Sequence, residues 1–180
     1  MKEPAYRFSD DELSAYLQHE RLSVLAQVEE FDSKEWMGLL PPNPAHINSA
    51  RRRIRSPQIG PEWVIFTQEV NPTETVVEFF VPYTGDSNLF RYCPSQHSSE
   101  VPRAEVSGRQ LVFTIAVKDF DGNAVKAEFE RERANVEQWL VWMQTDVDGF
   151  NASLTSEVET VIEAQRQRLL YAENVAEEIR

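Results

Sequence analysis

Cys93 and His97, four residues apart, have the side-chain types for nucleophilic catalysis, because a thiolate forms at neutral pH when a neighbouring imidazole takes its proton. The residues around them argue against that use. Pro94 favours an extended or turn backbone, and Ser98 and Ser99 prolong a loop. No glycine-rich nucleophile turn or oxyanion element is recognisable nearby. The expectation is no catalytic residue here.

Arg91 and His97 loosely match the arginine-to-histidine spacing of helical ribonuclease sites. Those sites lie on a helix inside a bundle, whereas strand and proline signals flank this segment. Asp119-Phe120-Asp121-Gly122-Asn123, with Glu130 eleven residues after Asp119, places carboxylates at several ligand positions of a calcium loop. Ala124 stands where the sharp turn needs glycine, and Lys126 where an apolar residue belongs, so a polar turn is expected and no metal. A restriction-type nuclease needs a second carboxylate two places before its lysine to hold magnesium, and Ala116 before Lys118 removes it. The sequence contains no glycine-rich phosphate loop, His-Glu-x-x-His or paired Cys-x-x-Cys motif. No cofactor is expected.

Arg51, Arg52, Arg53 and Arg55 concentrate positive charge in one short stretch, and guanidinium forks bind oxyanions in pairs. They are candidates for an anion site. Neutralising the chain's own carboxylates is an equal use for them.

The whole chain sets limits on these readings. Its 180 residues, 41% of them hydrophobic, suffice for one core. A net charge of −12 repels a phosphate backbone over most of the surface, so nucleic-acid binding is disfavoured except locally at the arginines. A single cysteine, Cys93, is simplest in a reducing compartment, and the first nine residues carry no apolar run of a signal peptide. The longest apolar runs fall far below the roughly 20 residues of a membrane span. A cytoplasmic location and no membrane partner are expected.

Ser9-Asp10-Asp11-Glu12 has the spacing of a capping box, and Leu13, Leu17, Val24, Val28 and Phe31 follow at helical spacing. Residues 1–37 are thus expected as an N-terminal helix with one face to bury. Gly38, Pro41, Pro42 and Pro44 then interrupt regular structure, making 38–62 a Pro/Arg-rich connection. From 63 to 126, β-branched and aromatic residues cluster in short runs between turn signals. Residues 63–70, 75–81, 88–92 and 110–117 are expected to form the strands of an antiparallel meander. In the last of them either face is apolar enough to be buried.

Residues 127–180 read as one long helical arm. Val136, Leu140, Met143, Val147, Phe150 and Leu154 alternate by four and three, as in a heptad seam, and the phase passes through Gly149 and a slip at Val158. Fifty-odd helical residues would reach on the order of 80 Å, so part of the arm must find a partner. Trp36, Trp63, Trp139 and Trp142 are expected as core or interface anchors, the last two widening the stripe at the arm's base.

VPYTGDSNLFRYCPS (81–95), WLVWMQTDVDGFNASL (139–154) and VIEAQRQRLL (161–170) together resemble an accessory region of bacterial anti-phage defence proteins. In those proteins it accompanies a TIR-type or restriction-nuclease-type effector domain. The likeness covers about two thirds of the chain and rests on the Gly-Asp turn, a Phe-x-x-x-Pro loop, Phe150-Asn151 and Gln165-Arg166 with Arg168. It implies a non-catalytic module whose effector is a separate polypeptide or lies beyond Arg180.

The expected fold is α+β: a small antiparallel β-meander packed by the N-terminal helix and the base of a long C-terminal helix. The expected function is sensing or oligomerisation in a bacterial defence system. Val147, Phe150, Leu154 and Val158 would form the interface to another copy of the chain or to an effector. A small nuclease or hydrolase using the Arg51–Arg55 loop with Cys93 and His97, and a nucleic-acid adaptor using the arginines alone, are the alternatives.

Overall fold

A sheet of mainly antiparallel strands, an N-terminal helix and a long C-terminal helix make up this α+β chain. The computed structural model describes residues 6–8, 11–29, 54–71, 74–118 and 121–178. In chain order the elements are β1 (Tyr6–Arg7), β2 (Asp11–Glu12), α1 (Leu13–Glu29), β3 (Gln58–Ile59), β4 (Val64–Asn71) and β5 (Glu74–Thr84). A 3-10 helix (Ser87–Arg91), β6 (Tyr92–Cys93), β7 (Ala104–Ser107), β8 (Gln110–Lys118) and α2 (Gly122–Glu178) complete them. Two compact units result, one from Met1–Ser14 with Arg55–Val147, the other from Ala15–Ile54 with Asp148–Arg180. The expected arm 127–180 therefore contributes to both.

In the first unit, β5 is central. It pairs antiparallel with β8 on one edge and with β4 on the other, β7 and β1 extend the β8 side, and β3 pairs with the end of β5. Cross-strand register settles which face is buried. Val77, Phe79 and Val81 oppose Ile115, Phe113 and Leu111, and all six are buried. Phe129 of α2 stacks flat on Phe79 at 4.0 Å and meets Phe113 edge-on at 5.4 Å. Val125, Val136, Trp139, Leu140 and Met143 continue that buried stripe along the helix, interrupted by Glu132, whose Oε2 has no hydrogen-bond partner.

The expected strand at 88–92 is instead mostly the 3-10 helix. Asp86 accepts from the Asn88 amide as its cap, and the adjacent Leu89 and Phe90 are both fully buried, which a strand with one inward face cannot achieve. Gly85, at φ +95°, lets Ser56 and Pro57 cross the end of β5, where a Cβ would lie 2.5 Å from the Ser56 carbonyl oxygen. Strand β7 lies outside the expected meander and joins β8 through a tight turn at Gly108, φ +59°.

Helix boundaries shift as well. Asp11 and Glu12 pair in parallel with Tyr92 and Cys93, so α1 begins at Leu13, while Ser9 and Asp10 of the expected capping box lie outside the described residues. Asp121-Gly122-Asn123 starts α2 instead of forming a separate turn: the Asp121 carboxylate accepts from the Asn123 amide at 2.9 Å. From there α2 continues unbroken for 57 residues, through Gly149.

In the second unit, Val24 and Val28 of α1 form a buried cluster with Leu154 and Val158 of α2, flanked by Leu25, Phe150, Val161 and Ile162. Arg21 pairs with Glu157 at 2.6 Å beside it. Asn151 holds the Ile54 backbone from both sides, accepting from its N–H at 3.2 Å and donating to its carbonyl at 2.9 Å.

Candidate functional site

The parallel pairing of β2 with β6 sets Glu12 beside Cys93. A pocket of about 510 Å³ opens there, lined by Glu12, Ser14, Cys93, Pro94, Ser95, His97, Ser98, Ser99 and Val101. The sequence thus named two of its walls, and the structure brings them together. Ser95 fixes the pocket loop to α2 by donating its amide and hydroxyl to the Asp146 carboxylate at 2.7 and 2.6 Å. Asn135 adds a bond to the Glu100 carbonyl at 3.4 Å.

Inside the pocket the thiol and the imidazole meet at one backbone oxygen. The buried Cys93 Sγ donates to the Pro94 carbonyl at 3.6 Å, and His97 Nδ1 lies 3.1 Å from that same oxygen. A carbonyl oxygen only accepts, so Nδ1 is the donor here and Nε2 is the ring nitrogen left to act as a base. Arg55 does not line this pocket. Arg55 is exposed and its carbonyl accepts from the Asp86 amide at 2.9 Å, while Arg51, Arg52 and Arg53 lie outside the described residues. Among the described residues no group of three His, Cys, Asp or Glu side chains is placed to hold a metal ion. Asp121 of the calcium-like stretch is spent capping α2, and Glu130 pairs with Lys126 at 3.7 Å on the exposed face of that helix.

The proposed interface on the arm needs correction. Val147 is buried, and Leu154 and Val158 lie in the cluster closed by Val24 and Val28, with Phe150 packed at its margin. These residues are thus core contacts within the chain. It is α1 that covers Leu154 and Val158, with Val24 and Val28 packing on them.

A second surface was missed. Among the described residues β4 is hydrogen-bonded along one edge only, to β5. Its first three side chains, with Trp63 just before them, are apolar and open: Trp63, Val64, Ile65 and Phe66 are 41%, 55%, 51% and 61% exposed. Opposed residues share a face, so Val64 and Phe66 lie with Phe80 and Glu78 on the sheet face away from Phe79, and the Phe66 and Phe80 rings meet at 5.4 Å. Trp63 is held in place between Phe129, at 5.4 Å, and the Arg133 guanidinium, 5.2 Å from its ring centre. Arg133 in turn donates to the Gly60 and Pro61 carbonyls at 3.3 Å. The signal was present in the sequence: 63–66 is apolar at consecutive positions, where a strand with one covered face would alternate.

No described helix is long and apolar enough to cross a membrane. Comparison with protein-family models, curated proteins and solved structures found no match.

Proposed function

We propose that this protein is a non-catalytic assembly module that docks another polypeptide on the open edge of its sheet at β4. The supporting observation is the exposure of Trp63, Val64, Ile65 and Phe66 on a strand with one unpaired edge among the described residues. An edge of this kind offers backbone donors and acceptors in a row together with apolar side chains, and soluble proteins ordinarily blunt it with lysine, proline or a bulge. No lysine or arginine interrupts β4, and its one register irregularity, between Glu69 and Asn71, lies at the end away from Val64, Ile65 and Phe66. The resemblance of 81–95, 139–154 and 161–170 to an accessory region of bacterial defence proteins supports placing the module beside an effector, where it senses or assembles. The pocket at Cys93 supports catalysis less, because its thiol is buried and donates to the Pro94 carbonyl.

Sedimentation velocity on the protein, alone and with the product of a neighbouring gene, tests this reading. Changing Val64 and Phe66 to threonine keeps β-propensity and removes apolar surface. Assembly should weaken with the circular dichroism unchanged. Assembly unaffected by that pair, or function lost on Cys93→Ser or His97→Ala with the fold intact, would overturn the proposal.

A further inference from the structure

Charge identifies the kind of chain that fits β4. From Pro61 to Thr84 the sequence holds Glu62, Glu69, Glu74 and Glu78 and no lysine or arginine. Glu62 is exposed at the entry to the strand, and Glu78 is cross-strand partner to Phe66 on the open face. Arg133, beside Trp63, is engaged by Glu137 at 3.0 Å and by the carbonyls before Trp63, and Lys118 lies opposite Glu74 at the far end of β5. The chain as a whole carries −12, so the local sign agrees with the long-range field. A second copy would bring an identical acidic hairpin against this one, and like charges across a strand pair destabilise it.

We infer that the occupant of β4 is an extended basic segment of another protein, with apolar residues alternating with lysine or arginine, added to the sheet as a further strand. This rests on β4 being the docking edge. Main-chain bonds to the open edge supply register-independent affinity, the apolar residues cover Val64 and Phe66, and the cations meet Glu62 and the field around Glu78. Trp63, half-exposed and held by Phe129 and Arg133, gives the incoming strand a rigid aromatic anchor.

The probes are three synthetic peptides of equal length, alternating valine with lysine, threonine or glutamate, titrated calorimetrically into the intact protein. Hydrogen exchange of β4 serves as the readout of strand addition. The valine–lysine peptide should bind most tightly, slow exchange in β4 and weaken with added salt. E62Q/E78Q should weaken it about three- to tenfold and leave the valine–threonine peptide unchanged. V64T/F66T should weaken all three. If the threonine peptide binds wild type as tightly as the lysine peptide, the basic partner is wrong and the docking edge stands. If no peptide binds and the protein self-associates in a manner lost in V64T/F66T, the occupant is a second copy and the inference falls. If no peptide binds and nothing associates, the docking edge falls too.

Discussion

Asn151 shows how a single side chain can hold a backbone segment distant from it in sequence. Its amide meets both backbone groups of Ile54, and because the N–H needs an acceptor and the carbonyl a donor, the amide has one orientation that serves both. Replacing it with alanine strands two partly buried backbone groups and should cost about 1–3 kcal/mol. Asn151→Asp is the sharper test. At neutral pH the new carboxylate still accepts from the N–H but sets an acceptor against the Ile54 carbonyl, so it should be no better than alanine. Protonation turns that oxygen into a donor, which raises the folded-state pKa of the new carboxyl above its unfolded value near 4. Its stabilising contact is therefore present at acid pH and lost as the pH rises through that raised value. Urea unfolding of wild type, Asn151→Asp and Asn151→Ala at pH 7 and pH 4 checks this. An Asn151→Asp deficit that does not narrow at pH 4 would show that the protonated oxygen does not restore the bond to the Ile54 carbonyl, and wild-type stability of both variants at pH 7 would show that the two bonds contribute nothing measurable.

At the scale of elements, the legible parts were those whose pattern is local. The four–three alternation of apolar residues identified α2 through Gly149, and dense β-branched and aromatic runs located β5 and β8. What periodicity does not encode is which element closes which seam. Val24 and Val28 were visible as a stripe needing cover, and so were Leu154 and Val158; that each covers the other is tertiary information. Strands β1, β3 and β6 are two residues each, too short to carry a period, and β7 was signalled only by the glycine that turns it into β8. The Cys93 pocket was half legible, because Glu12 and Ser14 reach it through a parallel pairing distant in sequence. The helix pairing now fixes the expected result for Phe150→Glu with Leu154→Glu. Burying two carboxylates where Val24 and Val28 pack leaves them without counter-charges, so α1 should separate from α2. Circular dichroism should show helix loss and a lower Tm, and the milder Leu154→Ala alone should cost about 2–5 kcal/mol. Sedimentation showing only a smaller assembly, with helicity and Tm retained, would restore the arm as an interface.

For the whole molecule, 30 acidic against 18 basic side chains set two effects of salt in opposition. Screening weakens attraction within ion pairs, and it relieves the mutual repulsion of the excess carboxylates. The described pairs on α2 are local and exposed: Lys126 with Glu130, Arg131 with Glu128 and Arg133 with Glu137. Exposed pairs of this kind contribute little in water, so screening them forfeits little. Arg21 with Glu157 joins α1 to α2, but both side chains remain about a third exposed and are screened as well. The repulsion, by contrast, is spread over the entire surface and acts at separations comparable to the roughly 10 Å Debye length at 0.1 M salt, where screening is effective. Relief should therefore win. Raising sodium chloride from about 20 to about 300 mM is expected to increase Tm by about 2–4 °C, corresponding to about 1 kcal/mol for a chain of this size. Calorimetry at both salt concentrations measures it directly, with sodium sulfate avoided because excluded salts stabilise by a separate route. A Tm that falls with sodium chloride would mean that attractive charge contacts outweigh the net charge.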